Sequence, residues 1–483
     1  MRSALLGIWD RICALPVLVQ DGWLYLLSGA FAGATAVYAV SSDYREWGQV
    51  AGCTYVAAAV ICFAAVLVER RRAERGAANG AEADASANPV KRIGRVRRVA
   101  VLTALCGAVL APLMTQLVWR AEGLPGQHAQ PEVAVVERAA DRAAHLQDPY
   151  LLHPTSVGIS PQTDGHNVNA GSFYPYLPGM IPFGYLNALD LPPELQDARV
   201  ALVGFTLLIA AVALMSSDAT VHRRGRVLQF LVCLPSGALA LVTGGDDLPV
   251  LALMLLGLVF AQQRRPVLAG VVIGLGATLK FTAWPLLVLM LFAARDREDR
   301  PAPLRYGLSV AVVSLPIVAI GVLAGPRAFL ENVVKFPLGL TALKSPAASP
   351  LLGQYLVNVL PSEKLVLTAL LLLVGLLVVV AGFLRYRPRT PADVARFTAF
   401  AMTVATVLAP ATRFGYLIYP LNFVVFAYLL DGMAAMSWPQ RAQSASSISK
   451  IVRETVLVGT VSLPPSAGVM DDPSGFTSTP TSQ

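Results

Sequence analysis

The chain has 483 residues, of which 55% are apolar and only 14% charged, with a net charge of +8. A soluble globular protein carries about 25% charged residues, so the composition excludes an ordinary soluble domain. The basic surplus lies in short clusters between long apolar runs, which is the signature of membrane topology rather than of nucleic-acid binding.

Helices are the expected spanning element, because lipid offers backbone polar groups no partner outside the segment. The short alternating segments of a barrel are absent. Five cysteines (Cys13, Cys53, Cys62, Cys106 and Cys233) lie in or beside apolar stretches, with neither metal-ligand spacing nor a disulfide framework. Asp10, Arg11 and Asp21 interrupt the first apolar stretch, so no cleavable signal is read there.

In chain order, the first two predicted spans are 22–41 and 49–68, an N-terminal transmembrane hairpin within 1–68. Glu69-Arg70-Arg71-Arg72 and the run from Lys91 to Arg98 bound a basic loop, 69–98, which is expected to be cytoplasmic. The third span, 99–119, then travels outward and leaves a large polar loop, 120–198, outside. Basic clusters at His222–Arg226, Gln262–Arg265, Arg295–Arg305 and Arg385–Arg389 should all lie inside. That condition is met by spans at 198–218, 227–243, 249–262, a short pair at 266–279 and 281–294, 306–324, 365–384, 394–410 and 414–434. The expectation is an all-α, polytopic bundle of about 12 spans with both termini cytoplasmic. The short pair falls below spanning length and reads as a broken or re-entrant element. Ser172 to Leu191 is apolar but carries Pro175, Pro178 and Pro182. It is expected to be an interfacial or re-entrant segment of the outer loop. The core is 99–436, and the Ser-, Pro- and Thr-rich tail 437–483 should be disordered and cytoplasmic.

Four features carry unexplained polarity. The outer loop holds Glu132, Glu137, Asp141, Asp148, Asp164, His145, His153 and His166. A connector alone could be much shorter, although any single acid here could be an ordinary surface charge. Thr243-Gly244-Gly245-Asp246-Asp247-Leu248 is a tight turn with adjacent carboxylates. It is either a solvated turn or a site for sugar hydroxyls or a divalent cation; no cofactor is firmly implied. Lys280 lies between two apolar segments and is either a snorkelling lysine or a phosphate partner. Arg413, beside Phe414 and Tyr416, is either an interface anchor or a planar fork for phosphate. By the predicted topology all four lie on the outer side.

Together, an acid in the outer loop, Asp148-Pro149-Tyr150 and Phe173-Tyr174-Pro175-Tyr176-Leu177-Pro178 resemble the membrane glycosyltransferases of the C-type fold. The closest likeness is to the bacterial polyprenyl-phosphate-mannose-dependent mannosyltransferases. Asp246-Asp247-Leu248, Arg264-Arg265-Pro266 through Gly270, and Leu279-Lys280-Phe281-Thr282 add to it, with a weaker echo from Arg413 to Pro420. The resemblance implies inverting transfer of a sugar from a polyprenyl-phosphate donor to a lipid or cell-envelope glycan acceptor. The setting would be the outer face of a bacterial cell membrane, with membrane lipid and no nucleic acid as partners. It puts the general base at Glu132, where the family has Asp; Glu137 and Asp148 are the next candidates. It gives Lys280 and Arg413 the leaving phosphate, and Tyr174 and Tyr176 a positioning role. Asp148, Tyr150, Asp246 and Asp247 complete the expected substrate-binding set. Two readings from other classes stay open: a transporter or flippase for a lipid-linked or anionic substrate, and a membrane scaffold. A transporter would place its ionisable groups near the midplane of repeated halves, and no repeat is evident.

Overall fold

The computed structural model describes residues 15–78, 89–150, 173–293, 301–341, 347 and 349–434. Cys13, His153, Asp164, His166 and the tail beyond 436 lie outside the described residues. Among the described residues the fold is all-helical, with no β-strand. A long hairpin, α1 (Val17–Tyr38) and α2 (Ser42–Ala78), leads to α3 (Pro89–Ala104). This helix runs through a π-helical turn (Leu105–Leu110) into α4 (Ala111–Ala121). The bundle continues with α6 (Ala198–Ser216), α7 (Val221–Leu228), α8 (Pro235–Thr243), α9 (Asp247–Gln262), α10 (Pro266–Leu279) and α11 (Trp284–Ala293). It ends with α12 (Ala302–Ala324), α15 (Lys364–Tyr386), α16 (Pro391–Leu408) and α17 (Ile418–Ala434). Each predicted span therefore falls on a helix.

Length separates these helices. Six are long and apolar enough to cross a membrane, or seven if the pair Val221–Cys233 and Pro235–Thr243, bent by 41°, is one broken span. The stretches Asp247–Gln262, Pro266–Leu279 and Phe281–Phe292 are apolar but short. At 1.5 Å per residue they fall short of the roughly 30 Å hydrocarbon core. The bend has a local cause. Pro235 opens α8, and proline disfavours the helical region for the residue before it; Leu234 is accordingly extended, with ψ 164°.

Two elements sit where the sequence reading placed only a polar loop and a surface segment. Helix α5 (Pro131–Ala144) opens on a proline at its first turn, where a missing N–H costs nothing. Its Val133, Val136, Glu137 and Ala140 are buried, and their spacing of three and four makes one helical face. A 3₁₀ segment, Pro178–Ala188, packs against that helix and against α6, α10 and α12. Pro178 and Pro182 deny it two backbone donors, and Met180, Ile181 and Phe183 are its buried side chains. Two short helices between α12 and α15, α13 (Pro326–Phe329) and α14 (Leu352–Val359), cap the same end of the bundle.

The hairpin joins the rest through aromatic side chains and a close backbone approach. Trp47 donates its indole N–H to Ala108 O at 2.9 Å, and Tyr55 donates its hydroxyl to Cys233 O at 2.7 Å. Residues up to Ala434 form one unit.

The turn between α8 and α9 depends on Gly244, whose φ is +108° and whose added Cβ would stand 2.1 Å from Val133 Cγ2 on α5. Replacing Gly244 by Ala therefore combines left-handed strain with a clash, and should cost about 2 kcal/mol or more. Thermal unfolding of the detergent-solubilised variant measures it; a melting temperature equal to that of the parent would show that the turn does not need glycine.

Candidate functional site

A buried ion network ties the elements that carry the candidate residues. Arg199, in the first turn of α6, is fully buried. It donates to both carboxylate oxygens of Asp197, at 3.0 and 2.8 Å. It also donates to His128 O at 2.7 Å and Val242 O at 3.0 Å. Arg120, at the end of α4, forks onto Glu137 at 2.8 and 2.6 Å and reaches Asp197 at 2.6 Å. Glu137 thus anchors α5, and Val242 precedes the 244–247 turn. Burial pushes the Asp197 carboxyl up, but Arg199 and Arg120 hold it down at about 2. Its contribution to stability is present above the ordinary carboxylate value and is lost as pH falls towards 2.

Above this network lies a cavity of about 840 Å³. Helix α5 supplies Glu132 from its first turn, and the loop before it supplies Gln130. The α8–α9 turn supplies Asp246 and Asp247, the break between α10 and α11 supplies Lys280, and the turn before α17 supplies Arg413. Tyr176 forms part of the wall. The other side is apolar: Phe31 of α1, Leu239 of α8 and Leu421 of α17 line it. Phe31 and Leu421 are also 50% and 41% exposed on the bundle surface, so the cavity opens sideways between helices.

The charges inside pair in two sets. Arg413 donates to Glu132 Oε1 at 3.0 Å, and the backbone N–H of Glu132 also favours the ionised carboxylate. Lys280 Nζ bridges the turn carboxylates, at 3.1 Å from Asp246 Oδ1 and in contact with Asp247 Oδ1. Tyr419 donates to the same Asp247 oxygen at 2.6 Å and meets Thr282 at 2.6 Å. Lys280 lies 5.5 Å from the centre of the Tyr176 ring and Arg413 lies 5.7 Å from that of Tyr416, both within cation–π range. Burial raises the Glu132 carboxyl, but the guanidinium of Arg413 and then the ammonium of Lys280 bring it below its ordinary range. Asp246 goes the other way: burial and the neighbouring carboxylates raise it against the pull of Lys280. Its Oδ2 is buried without a hydrogen-bond partner.

Asp148, Tyr150 and Tyr174 do not reach the cavity wall; they stand behind it. Asp148 Oδ1 accepts from the Tyr150 N–H at 2.9 Å, and the Tyr150 hydroxyl donates to Tyr176 O at 3.1 Å. Asn332 joins the layer by donating to Tyr150 O at 3.0 Å and accepting from the Tyr174 N–H at 2.7 Å. The sequence reading missed Asn332, Tyr44, Gln130, Arg199 and Tyr419. A buried Arg beside an Asp at the start of an apolar span was a legible signal for Arg199; no local pattern marks the others. Among the described residues no group of three or more His, Cys, Asp or Glu is placed to hold a metal ion.

An all-helical, multi-pass membrane bundle with paired carboxylates and cations around a lipid-open cavity is an architecture suited to sugar transfer at a membrane. Residues 176–411 match the model of Glycosyltransferase family 87. The matched stretch contains Tyr176, Asp246, Asp247 and Lys280; Glu132, Asp148, Tyr150, Tyr174 and Arg413 fall outside it. Solved structures similar to the chain include ArnT from Cupriavidus metallidurans bound to undecaprenyl phosphate. That likeness has 15% identity and a TM-score of 0.42, over 76% of this chain and 66% of that one. The apo state of ArnT from the same organism is similar at 16% identity and a TM-score of 0.38, over 69% of this chain and 61% of that one. The chain thus spans about two thirds of the length of ArnT or less. No curated protein matches it.

Arg199→Lys keeps the charge but not the planar fork that serves four segments at once. It should cost about 2–3 kcal/mol of stability, as expected for buried groups left without partners. Chemical unfolding of the variant beside the parent measures the loss; equal midpoints would remove Arg199 as the organising residue.

Proposed function

We propose that the chain transfers a sugar, mannose by the sequence resemblance, from a polyprenyl-phosphate donor to a lipid or cell-envelope glycan acceptor, with inversion at the anomeric carbon. The observation that carries this reading is the cavity itself: a carboxylate held ionised faces two cations, and an apolar side opens towards lipid. An isoprenoid chain would lie along Phe31, Leu239 and Leu421. The match of 176–411 to a glycosyltransferase family supports the reaction class.

In the proposed reaction an acceptor hydroxyl oxygen attacks the anomeric carbon. Glu132 takes the hydroxyl proton through Oε2, the oxygen that Arg413 leaves unbound. The bond from the anomeric carbon to the phosphate oxygen breaks, and its electron pair leaves with the phosphate. Lys280 and Arg413 stabilise the charge that develops there, at a site fixed before substrate arrives. A low basicity at Glu132 suits a late proton transfer, because the acceptor hydroxyl becomes acidic only as its oxygen bonds to carbon. The carboxylates of Asp246 and Asp247 fix Lys280 in place. Asp246, whose carboxyl is raised by burial, limits the net negative charge that an incoming phosphate would meet. We assign the space between Asp246 and Asp247 to Lys280 rather than to a divalent cation, since its ammonium already bridges both.

The proposed setting is a bacterial cell membrane with the site on the outer side. Asp21, Arg97 and Arg226 form an ion cluster at the far end of α1, with Arg97 at 2.5 Å and Arg226 at 2.8 Å from the carboxylate. The positive-inside rule puts such arginines on the cytoplasmic side.

Membranes containing Glu132→Gln should transfer mannose from polyprenyl-phosphate-mannose at least about 100-fold more slowly than the parent, the loss expected for a general base. Undiminished transfer removes Glu132 as the base. A parent that transfers nothing from any polyprenyl donor but moves such a lipid across vesicles establishes a transporter instead. Transfer should survive EDTA; loss of activity restored by magnesium would place a cation at Asp246 and Asp247.

The pH dependence has a fixed sign. Arg413 lowers the Glu132 carboxyl, so the acid limb of kcat/KM should lie below the ordinary carboxylate range. Arg413→Gln should move that limb to higher pH as well as slow transfer. An acid limb that stays in place in this variant would show that Glu132 does not govern it.

A further inference from the structure

The cavity carries a second polar feature, outside the matched region and apart from the paired charges. Tyr44 is near the start of α2, on the N-terminal hairpin, and lines the cavity together with Gln130. The hydrogen bonds around this pair fix its proton directions. Thr243 Oγ1 donates to Leu239 O at 2.9 Å, so towards Gln130 it can only accept. Gln130 Nε2 donates to Thr243 Oγ1 at 2.9 Å and to the Tyr44 hydroxyl oxygen at 2.7 Å. Both amide hydrogens are then used. The backbone repeats the anchor, since the Gln130 N–H donates to Thr243 O at 2.8 Å. Among the described residues two capacities remain. The Tyr44 hydroxyl keeps its one hydrogen, and the Gln130 side-chain oxygen keeps its lone pairs. Both groups belong to residues of the cavity wall, two positions along the chain from Glu132 in the case of Gln130.

One hydroxyl group of a ligand satisfies both capacities, accepting from Tyr44 and donating to Gln130. A phosphate oxygen cannot, because it has no hydrogen to give. An apolar chain can do neither. We propose that Tyr44 and Gln130 form a hydroxyl-binding subsite that holds the acceptor sugar beside Glu132. The proposal rests on the reading of the cavity as a sugar-transfer site and assigns its acceptor side. The N-terminal hairpin is thereby part of the specificity apparatus of the cavity as well as a membrane anchor. The Gln130 anchor to Thr243 couples the subsite to the turn that carries Asp246 and Asp247, so acceptor and donor sides share one backbone support.

The test needs no donor. The purified full chain, in a zwitterionic detergent without sugar, is titrated with octyl α-D-mannopyranoside below its micelle concentration, with n-octanol as the control. The parent should bind the glycoside and not the alcohol. Tyr44→Phe keeps the ring and removes only the hydroxyl, and should weaken Kd about 3- to 10-fold, the range for one neutral hydrogen bond. Gln130→Met keeps the length without the polar atoms and should do the same. The double variant should be little weaker than either single one, because both act on one ligand hydroxyl. An unchanged Kd in Tyr44→Phe overturns the subsite, including the case in which its melting temperature falls, since that outcome marks a purely structural tyrosine. A parent that does not bind the glycoside also overturns it. A parent that binds the glycoside yet transfers no sugar overturns the reaction proposed above and leaves the subsite standing. In a transfer assay Tyr44→Phe should raise the KM for the glycoside acceptor and leave the donor KM unchanged; an equal rise in both counts against an acceptor-side role.

Discussion

The arrangement depends on the burial of one guanidinium. Arg199 has no exposed surface, and a charge taken out of water at this depth must find its partners in the protein. It finds them on four segments at once: its own neighbour Asp197, the Gln116 side chain at 3.3 Å, and the carbonyls of His128 and Val242. Those four points are the start of α6, the middle of α4, the approach to α5 and the end of α8. None can shift far without stranding the cation. Arg120 extends the constraint by gripping Glu137 in the middle of α5. The first turn of α5, where Glu132 sits, is held at a set distance from the 244–247 turn because both hang from the same network. Gly244 completes the contact, since Val133 occupies the space a side chain there would need.

Above that frame the cavity shows how opposite charges can be kept in one low-dielectric place. Each cation has its own carboxylate: Arg413 with Glu132, and Lys280 with the Asp246–Asp247 pair. The two acids of the pair divide their roles by environment. Asp247 takes the Lys280 ammonium and the Tyr419 hydroxyl. Asp246 is more buried and has one oxygen unbound, which favours its neutral form.

The helices were legible in the sequence because apolar length and basic punctuation are strong signals. Pro266 and the basic cluster at Arg385–Arg389 mark helix ends that coincide with those of the structure, whereas the predicted span 227–243 runs through Pro235, where the structure bends. The Pro175, Pro178 and Pro182 pattern correctly argued against a regular span, and a 3₁₀ segment stands there. The helix of 131–144 was hidden because its charges drew more notice than its buried face of Val133, Val136, Glu137 and Ala140. The grouping of Glu132, Asp246, Lys280 and Arg413 followed from assigning all four to one end of the bundle. Their pairing did not follow, because contacts across more than a hundred residues leave no local trace. Asp148 and Tyr150 were expected among substrate-binding groups. They lie behind Tyr176 instead, where their chemistry is to hold the wall.

The short helices explain why polar chemistry can be sustained here at all. Asp247–Gln262 and Pro266–Leu279 are shorter than a full crossing, unlike α12 and α15. A helix that stops early exposes unpaired backbone groups and leaves a volume the lipid cannot fill favourably. The turn at 244–247, the break at Lys280 and the cap at Arg413 occupy that volume, and their charges satisfy one another there. The same shortfall leaves an opening along α1, α8 and α17 with apolar walls. A polar chamber with an apolar side door therefore follows from two helices being a few residues short, with proline and glycine setting where they end.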